Sequence, residues 1–294
     1  MKTISGFTFI RNGVSLGYPF VESIKSLLPI VDEFVIALGF GNDETKTILA
    51  NFKNPKILII ETVWDDNKRI GGTILAEQTD IALKHCKGEW CIYLQADEII
   101  HEDDYQNIIE NINNSDQDVE GLIFNWRHFY GSYNYLGVGR QWYRREVRAF
   151  KNSGKVVSWK DAQGFRTLDE NGNTRKLKCK LIESRIFHYG WVRPPKIQMK
   201  KQVAFYKLYH QEDQENESEV YDTEFDYTNC YEVKLFKETH PKIILDRISN
   251  DSEWCNKFNP SKLIKKPIKV LLSDWIERKT GLRIGEYKNF KVIS

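Results

Sequence analysis

The chain has 294 residues and a formal net charge of +2, with 41% hydrophobic and 29% charged residues. This composition is typical of a globular protein, and the near balance of charge gives no reason to expect a nucleic-acid partner. The first residues form no apolar signal segment, and no stretch approaches the roughly 18 apolar residues of a membrane span, so we expect a cytoplasmic protein. The five scattered cysteines lack CxxC spacing, which indicates reduced thiols rather than a zinc site or a disulfide framework.

Strand and helix patterns alternate through the first part of the chain. The predicted strands are 4–10, 34–38, 56–62 and 90–94, and the predicted helices are 21–28, 44–52, 73–86 and 105–112, the last capped by Asp103. This alternation indicates βαβ units and a mostly parallel sheet flanked by helices. Ligands bind beyond the carboxyl ends of the strands in such sheets, and the segments at those ends are polar or rich in glycine.

The pattern changes after Gly121. Further strands are predicted at 121–129, 148–150 and 185–189, followed by a helix at 199–209. Eight acidic and no basic residues between 211 and 226 indicate a solvated or disordered loop, whereas the segment from Asn256 onward has ten Lys or Arg and three acids. We therefore predict an α/β domain over residues 1–195 and a mainly helical extension over residues 196–294.

The apolar strand 90–94 delivers two adjacent carboxylates, Asp97 and Glu98, beyond its carboxyl end. Carboxylates in this position can hold Mg²⁺ or Mn²⁺, which prefer oxygen ligands and keep positions open for diphosphate oxygens. Such a cation neutralises the charge that builds on a departing nucleoside diphosphate. The alternative interpretation is a strand that simply ends in an acidic turn.

The order of several short motifs resembles the family 2 glycosyltransferases, which have the GT-A fold. The motifs are Asn-Asp-Glu-Thr at 42–45, Gly-Glu-Trp at 88–90 and Gln-Ala-Asp-Glu at 95–98. Two further runs, Trp-Tyr-Arg-Arg-Glu at 142–146 and His-Tyr-Gly-Trp at 188–191, resemble a bacterial subgroup of this family. The resemblance covers about two-thirds of the chain and implies a GT-A-type sheet with a helical C-terminal extension.

The same resemblance implies transfer of a sugar, with inversion, from a nucleotide-sugar donor to a hydroxyl group of a cell-surface glycan or a lipid-linked saccharide. It places Phe9 and Arg11 near the nucleotide base. Gln95 stands where the family has the first acid of its Asp-x-Asp motif. Residues 38–39 (Leu-Gly) replace the carboxylate that reads uracil in many members, so Asp43 is the candidate substitute.

The expected metal ligands for Mn²⁺ or Mg²⁺ are Asp97, Glu98 and a late histidine, His188, whose alternative role is structural hydrogen bonding. Arg193 follows His188 closely and could contact a diphosphate, because a guanidinium matches phosphate oxygens bidentately. Arg69 precedes two glycines and a helix, where helix N–H groups could help it to bind the donor diphosphate.

An inverting transfer needs a carboxylate that deprotonates the acceptor hydroxyl. In related enzymes this base follows the later strands, and Asp161 has that position. Glu146 is the competing candidate, and a surface turn is the alternative interpretation of Asp161.

Two other functions are alternatives to sugar transfer, and the sequence disfavours the first of them. A sugar nucleotidyltransferase would need a glycine-rich N-terminal loop, and Arg-Asn-Gly at 11–13 is too sparse for one. A non-catalytic nucleotide- or glycan-binding module with the same fold is kept open by Gln95 and Gly39, which depart from the family pattern.

The C-terminal segment 268–276 carries an apolar helical stripe surrounded by lysine and arginine. The preferred interpretation is that this stripe packs on the catalytic domain while the lysines face water. The alternative is peripheral contact with an anionic membrane surface at its inner face, where a lipid-linked acceptor would be presented.

Overall fold

The computed structural model describes residues 1–65, 68, 70–210, 223–281, 283 and 285–293. The strands are β1 Ile4–Ile10, β2 Glu33–Gly39, β3 Ile57–Thr62, β4 Trp90–Tyr93, β5 Glu98–Ile100, β6 Gly121–Tyr130, β7 Tyr135–Gly137, β8 Arg145–Lys151, β9 Val156–Trp159, β10 Gly164–Leu168, β11 Thr174–Lys176, β12 Lys178–Trp191, β13 Val233–Leu235 and β14 Lys291–Val292. The helices are α1 Phe20–Leu27, α2 Thr45–Ala50, α3 Thr73–Lys84, α4 Tyr105–Asn113, α5 Pro195–Tyr209, α6 Leu245–Asn250, α7 Ser252–Cys255 and α8 Ile268–Thr280. The predicted alternation of the first half is confirmed.

The main sheet is built on four parallel strands in the order β3-β2-β1-β4. Strand β8 pairs antiparallel with β4, β6 pairs antiparallel with β8, and the long strand β12 runs parallel to β6. A separate antiparallel sheet contains β9, β10 and β11. The fold is therefore the predicted α/β class, with a mostly parallel sheet and flanking helices.

Strands β1, β2 and β4 are buried on both faces, which explains their largely apolar sequences, whereas β3 at the edge of the sheet is partly exposed. On one face, Ile36 and Ile92 pack in a cluster that includes side chains of α1 and α4. On the other face, Phe7 and Tyr93 pack with Ala82 of α3. This packing on both sides fixes the carboxyl ends of β1, β2 and β4 at one edge of the sheet, where the polar loops begin.

Helix α5, the first element of the predicted extension, returns to this edge of the sheet. The carbonyl of Leu208 accepts a hydrogen bond from the N–H of Gly72 at the start of α3, at 3.0 Å. Strand β14 pairs parallel with β12, so the end of the chain also returns to the α/β domain. The described part of the extension is mainly helical, and residues 211–222 of the acidic segment lie outside the described residues. None of the described helices is long and apolar enough to cross a membrane.

Helix α8 contradicts the preferred interpretation of the C-terminal stripe. The helix meets the α/β domain through its polar side, because Arg140 donates to the carbonyl of Ser273 at 2.9 Å and lies 3.3 Å from the carboxylate of Glu277. Four large apolar side chains of the helix are between 48% and 75% exposed: Ile268, Leu271, Leu272 and Trp275. The apolar stripe therefore faces solvent, and the expectation that it packs on the domain is wrong.

The predicted helix cap at Asp103 is also wrong. Residues Glu102–Asp104 form a 3₁₀ turn before α4, and Nδ1 of His101 accepts the hydrogen bond from the N–H of Asp103 at 3.1 Å. The carboxylate of Asp104 instead binds Arg185 of β12, with 2.9 Å between Oδ1 and Nη2.

A buried ion pair ties β5 to β8 behind the sheet edge. The guanidinium of Arg148 donates to both oxygens of Glu98, each at 2.8 Å, and both side chains are fully buried. The same guanidinium lies 4.7 Å from the ring centroid of Trp126 and donates to the carbonyl of Gln163 at 2.8 Å. Each of the two buried charges therefore has the other as its partner, because water cannot reach either group.

Replacing Glu98 by Gln should lower the free energy of unfolding by about 3–5 kcal/mol, because it leaves the buried charge of Arg148 without a counter-charge. Urea unfolding of the Glu98→Gln variant would measure this change. The matched control is Glu120→Gln, which breaks a partly exposed pair with Arg175 and should cost about 1 kcal/mol or less. Equal losses in the two variants would contradict the structural importance of the buried pair.

Candidate functional site

A cavity of about 420 Å³ opens beyond the carboxyl ends of β1 and β4, between the sheet edge and α5. Six of the residues predicted from the sequence line it: Phe9, Arg11, Gln95, Asp97, Asp161 and His188. Helix α5 contributes much of the opposite wall through Lys201, Phe205, Leu208 and Tyr209. The cavity therefore lies where a parallel sheet is expected to bind a ligand.

Asp97 is the charged centre of the cavity wall and is only 3% exposed. Its Oδ2 accepts a hydrogen bond from Nζ of Lys201 at 3.1 Å and one from Nη2 of Arg193 at 3.3 Å. Burial alone raises the pKa of this carboxyl, but the positive charges of the neighbouring Lys201 and Arg193 hold that pKa well below its usual range. Asp97 is therefore ionised in the folded protein.

His188 lies beside Asp97, with 3.8 Å between its Nε2 and Oδ1 of the carboxylate. Its Nδ1 is 2.9 Å from Nδ1 of His128, whose Nε2 is 2.8 Å from the carbonyl oxygen of Tyr143. A carbonyl only accepts, so Nε2 of His128 carries a proton, and burial lowers the pKa of both histidines toward the neutral form. Neutral His128 then accepts at Nδ1 from His188, which leaves the lone pair of His188 on Nε2, toward Asp97.

The three-residue metal site predicted from the sequence is not assembled. Both oxygens of Glu98 bind Arg148, and Glu98 does not line the cavity. Among the described residues, no group of three or more His, Cys, Asp or Glu could hold a metal ion. Asp97 and His188 remain as a pair with one carboxylate oxygen and one imidazole nitrogen facing each other. Such a pair suits a cation that takes its other ligands from water and substrate oxygens.

Close packing explains why the third residue of the His-Tyr-Gly-Trp run is a glycine, Gly190. A side chain at this position would collide with the ring of His188 and crowd the carboxylate of Asp97. The carbonyl of Gly190 accepts hydrogen bonds from Lys201, at 3.0 Å, and from Arg193. Only glycine lets β12 pass this close to the charged cluster.

Arg193 belongs to the wall of the cavity and does not line it. Its side chain is 1% exposed, and its Nε donates to the carbonyl of Leu16 at 2.8 Å. The guanidinium also lies 4.6 Å from the ring centroid of Tyr18. Because the guanidinium is buried in the wall, where it donates to Asp97, Leu16 and Gly190, and does not line the cavity, the predicted direct contact with a diphosphate does not fit this position.

The structure brings Asp161, and not Glu146, to the cavity. Oδ2 of Asp161 accepts a hydrogen bond from the hydroxyl of Tyr209 at 2.8 Å. Glu146 is 3% exposed and is absent from the cavity lining. Burial raises the pKa of Glu146 to about 7, and one of its oxygens accepts from the N–H of Val147 at 2.9 Å. Of the two carboxylates, only Asp161 can meet a substrate in the cavity.

An aromatic platform lies at the end of β1. The ring centroids of Phe9 and Trp64 are 5.9 Å apart, and the guanidinium of Arg11 lies 5.1 Å from the Trp64 centroid. Arg11 also donates to the carbonyl of Phe40 at 3.0 Å. Flat rings with a cation beside them offer a surface on which a nucleobase could stack.

The remaining predicted donor contacts lie at the edge of the cavity or elsewhere. Gln95 lines the cavity, with its Nε2 3.4 Å from the carbonyl of Ala162. Asp43 lines a smaller neighbouring cavity, where its carboxylate accepts from the N–H groups of Ser15, at 2.8 Å, and Thr45, at 3.0 Å. Burial raises the pKa of Asp43, but these hydrogen bonds bring it below its usual value. Arg69 lies outside the described residues.

Sequence reasoning missed several residues of this site. Lys201 and Tyr209 come from the predicted helix 199–209, which was given no role, and Trp64 follows the predicted strand 56–62 without a role of its own. Lysine on a helix usually faces solvent, and the carboxylate that binds Lys201 is 104 positions away in the chain. Nothing local in the sequence indicated these contacts.

Comparison with known proteins identifies a family for this chain. The model of glycosyl transferase family 2 matches residues 18–171, which is 154 of the 294 residues. No curated protein matches the chain.

Solved structures give weaker similarities. The crystal structure of S. aureus TarS has a TM-score of 0.36 and 17% identity, over 51% of this chain and 28% of that chain. S. aureus TarS 1-349 in complex with UDP-GlcNAc has a TM-score of 0.35 and 16% identity, over 51% of this chain and 46% of that chain. Mannosyl-3-phosphoglycerate synthase from Rubrobacter xylanophilus has a TM-score of 0.32 and 15% identity, over 47% of this chain and 43% of that chain.

At these identities and TM-scores, the solved structures say nothing about the substrates of this chain. The chain also spans less than half of the length of each of these three structures. The family match covers just over half of the chain and agrees with the α/β architecture. The protein therefore belongs to glycosyl transferase family 2.

Proposed function

We propose that the protein transfers a sugar from a nucleoside-diphosphate-sugar donor to a hydroxyl group of a glycan or lipid-linked saccharide. The observation that carries this proposal is the cavity, which combines an aromatic platform, the carboxylate of Asp161 at the cavity surface and a charged cluster centred on Asp97. These are the parts that such a transfer needs: a place for the base, a proton acceptor and a way to neutralise a diphosphate.

The platform of Phe9, Trp64 and Arg11 supports the nucleotide end of the donor in this proposal. Phe9 lies near the end of β1 and Trp64 follows β3, while Asp97 of the charged cluster follows β4. A donor that stacks its base on the platform would direct its diphosphate toward Asp97, His188 and Lys201. Gln95 also lines the cavity and could bind a ribose or phosphate oxygen.

Asp161 acts as the base in the proposed reaction. The acceptor oxygen forms a bond to the anomeric carbon while its proton passes to the carboxylate of Asp161. The bond between the anomeric carbon and the diphosphate oxygen breaks, and its electron pair leaves with the nucleoside diphosphate. Attack from the face opposite to the leaving group inverts the anomeric configuration.

Asp97 and His188 are the residues that would hold Mn²⁺ or Mg²⁺. A divalent cation bound there supplies positive charge to the leaving diphosphate. The chain's own contribution is to fix these two ligands: Lys201 and Arg193 bind one carboxylate oxygen of Asp97, and His128 binds Nδ1 of His188. Hydrogen bonds of this kind to metal ligands are common in metal sites.

A non-catalytic binding module with the same fold is the second candidate. Gln95 in place of an acid and Gly39 in place of the uracil-reading carboxylate are the observations that favour it. Release of nucleoside diphosphate from a panel of UDP-, GDP-, ADP-, CDP- and TDP-sugars separates the two functions, because a binding module releases none.

Asp161→Asn should lower turnover by roughly 10²–10⁴-fold, the usual contribution of a positioned base, while donor binding stays within about threefold. The amide oxygen can still accept the hydrogen bond from Tyr209, so the local structure is preserved. Turnover is measured as nucleoside diphosphate released, and donor binding is measured by calorimetry. Glu146→Gln is the matched control and should keep most of the activity; the opposite result would identify Glu146 as the base.

We also propose that α8 binds an anionic membrane surface. Its exposed stripe of Ile268, Leu271, Leu272 and Trp275 is large and apolar. Exposed basic residues surround the stripe: Lys262, Lys265, Lys269, Arg278 and Lys279. Because the polar side of the helix already binds the α/β domain, this apolar and basic side is the one that meets a partner. Apolar side chains flanked by cations match the interface of an anionic bilayer.

The double substitution Leu272→Glu/Trp275→Glu should weaken binding of the full-length protein to anionic vesicles by about tenfold or more, because it removes two apolar side chains from the interface. Co-sedimentation with vesicles of phosphatidylglycerol and phosphatidylcholine measures this. The control is Leu245→Glu, which changes an exposed leucine on α6 and should have no effect. Wild-type protein that ignores these vesicles at low and physiological salt would refute the proposal.

A further inference from the structure

Lys201 is an unusual lysine because its ammonium group lies inside the cavity wall. The side chain is 10% exposed, and lysine is rarely buried to this extent without a partner. It comes from α5, outside the segment that matches the family model. The rings of Tyr18 and Phe205 flank the ammonium group, with their centroids 5.1 and 5.2 Å from Nζ.

The hydrogen bonds of Lys201 leave one donor for a ligand. An ammonium group has three N–H donors. One is used by Oδ2 of Asp97 at 3.1 Å, and a second by the carbonyl of Gly190 at 3.0 Å. The described part of the chain offers Nζ no third acceptor, and Lys201 lines the cavity.

The charges of the cluster also call for an anion. Asp97 contributes one negative charge, and Lys201 and Arg193 contribute one positive charge each. The guanidinium of Arg193 is only 1% exposed and donates into the wall. Lys201 is therefore the cation of this cluster that a ligand in the cavity can reach.

We propose that Lys201 binds the diphosphate of the donor and of the nucleoside diphosphate product through this remaining N–H. Asp97 and Gly190 fix the direction of the ammonium group, and the two rings keep it at the cavity surface. This inference rests on the proposed function. It assigns a residue of the extension to the binding of the leaving group, in addition to any cation held by Asp97 and His188.

The test compares nucleoside diphosphates with nucleosides, because only the former carry the group that Lys201 would bind. Calorimetry of the full-length protein with ADP, CDP, GDP, TDP and UDP, in EDTA and in Mn²⁺, identifies the diphosphate that binds best. For that diphosphate, Lys201→Met should weaken binding by roughly ten- to a hundredfold, the effect of losing one charged hydrogen bond. Binding of the matching nucleoside should change by less than about threefold. Lys200→Met, which changes an exposed lysine of the same helix, should leave both affinities unchanged.

Three results would count against the inference in different ways. If the wild-type protein binds no nucleoside diphosphate, the proposed function fails and the role of Lys201 fails with it. If Lys201→Met binds the diphosphate as tightly as wild type, the role of Lys201 is wrong while the proposed function stands. If the variant loses nucleoside and diphosphate binding equally, Lys201 is structural and the inference is wrong.

A second measurement covers the case in which Lys201→Met does not fold. Acetylation of lysines in the wild-type protein is followed by peptide mass spectrometry, with Lys200 as the internal control. The nucleoside diphosphate should slow acetylation of Lys201 at least about tenfold, and the nucleoside should not. Equal acetylation rates with and without the diphosphate would overturn the inference.

Discussion

The contact of Asp97 with Lys201 and Arg193 is the constraint on which the site depends. A carboxylate and two cations are buried together here, and each would be costly to bury alone. The three residues come from the loop after β4, the segment after β12 and helix α5. None of these segments can reach its final position with its charge satisfied until the others are present. The ion cluster therefore couples closure of the cavity to the assembly of the sheet.

The same cluster determines how the neighbouring histidine is presented. The chain from Tyr143 through His128 to His188 is a one-way series of hydrogen bonds, because the carbonyl at its end can only accept. Fixing the tautomer in this way leaves an acceptor nitrogen beside an ionised carboxylate. Two acceptors 3.8 Å apart do not attract each other, and the carboxylate is stabilised instead by Lys201 and Arg193. The acceptor nitrogen of His188 is therefore left for a donor or a cation in the cavity, while the net positive charge of the cluster lies on Lys201 and Arg193.

The sequence predicted the strand that carries Asp97 and the edge of the sheet at which the cavity opens, because buried parallel strands have continuous apolar runs. It did not predict the different fates of Asp97 and Glu98. Asp97 lies in the turn that faces the cavity, whereas Glu98 begins β5, where its side chain is directed to Arg148. The turn ends between the two residues, so their carboxylates leave the backbone in different directions. A prediction that assigns both to one metal ion therefore needs evidence beyond their adjacency.

Ion pairs between residues that are far apart in the chain explain the other differences between the predicted and the observed structure. The partner of Glu98 is 50 positions away, and the partner of Asp97 on α5 is 104 positions away. Hydrophobic periodicity indicates which face of a helix is buried. It cannot indicate that a single lysine on that helix is buried because it forms an ion pair with a distant carboxylate. For α8 the periodicity was correct, since its apolar side chains share a face. The sequence could not show that the acidic residues on the opposite side of α8 form ion pairs with Arg140. These ion pairs place the polar side against the domain and leave the apolar side exposed.

Helix α5 lies outside the segment that matches the family, but it forms one wall of the cavity. The family match ends at residue 171, before α5 begins at Pro195, yet α5 supplies the wall of the cavity opposite the sheet edge. The sheet edge contributes Gln95 and Asp97, which lie within the matched segment. The opposite wall is made by residues that lie outside the match, so substitutions there can reshape the cavity without disturbing the sheet. Because Lys201 anchors that wall to Asp97, any change in α5 that suits a new substrate must keep this one contact.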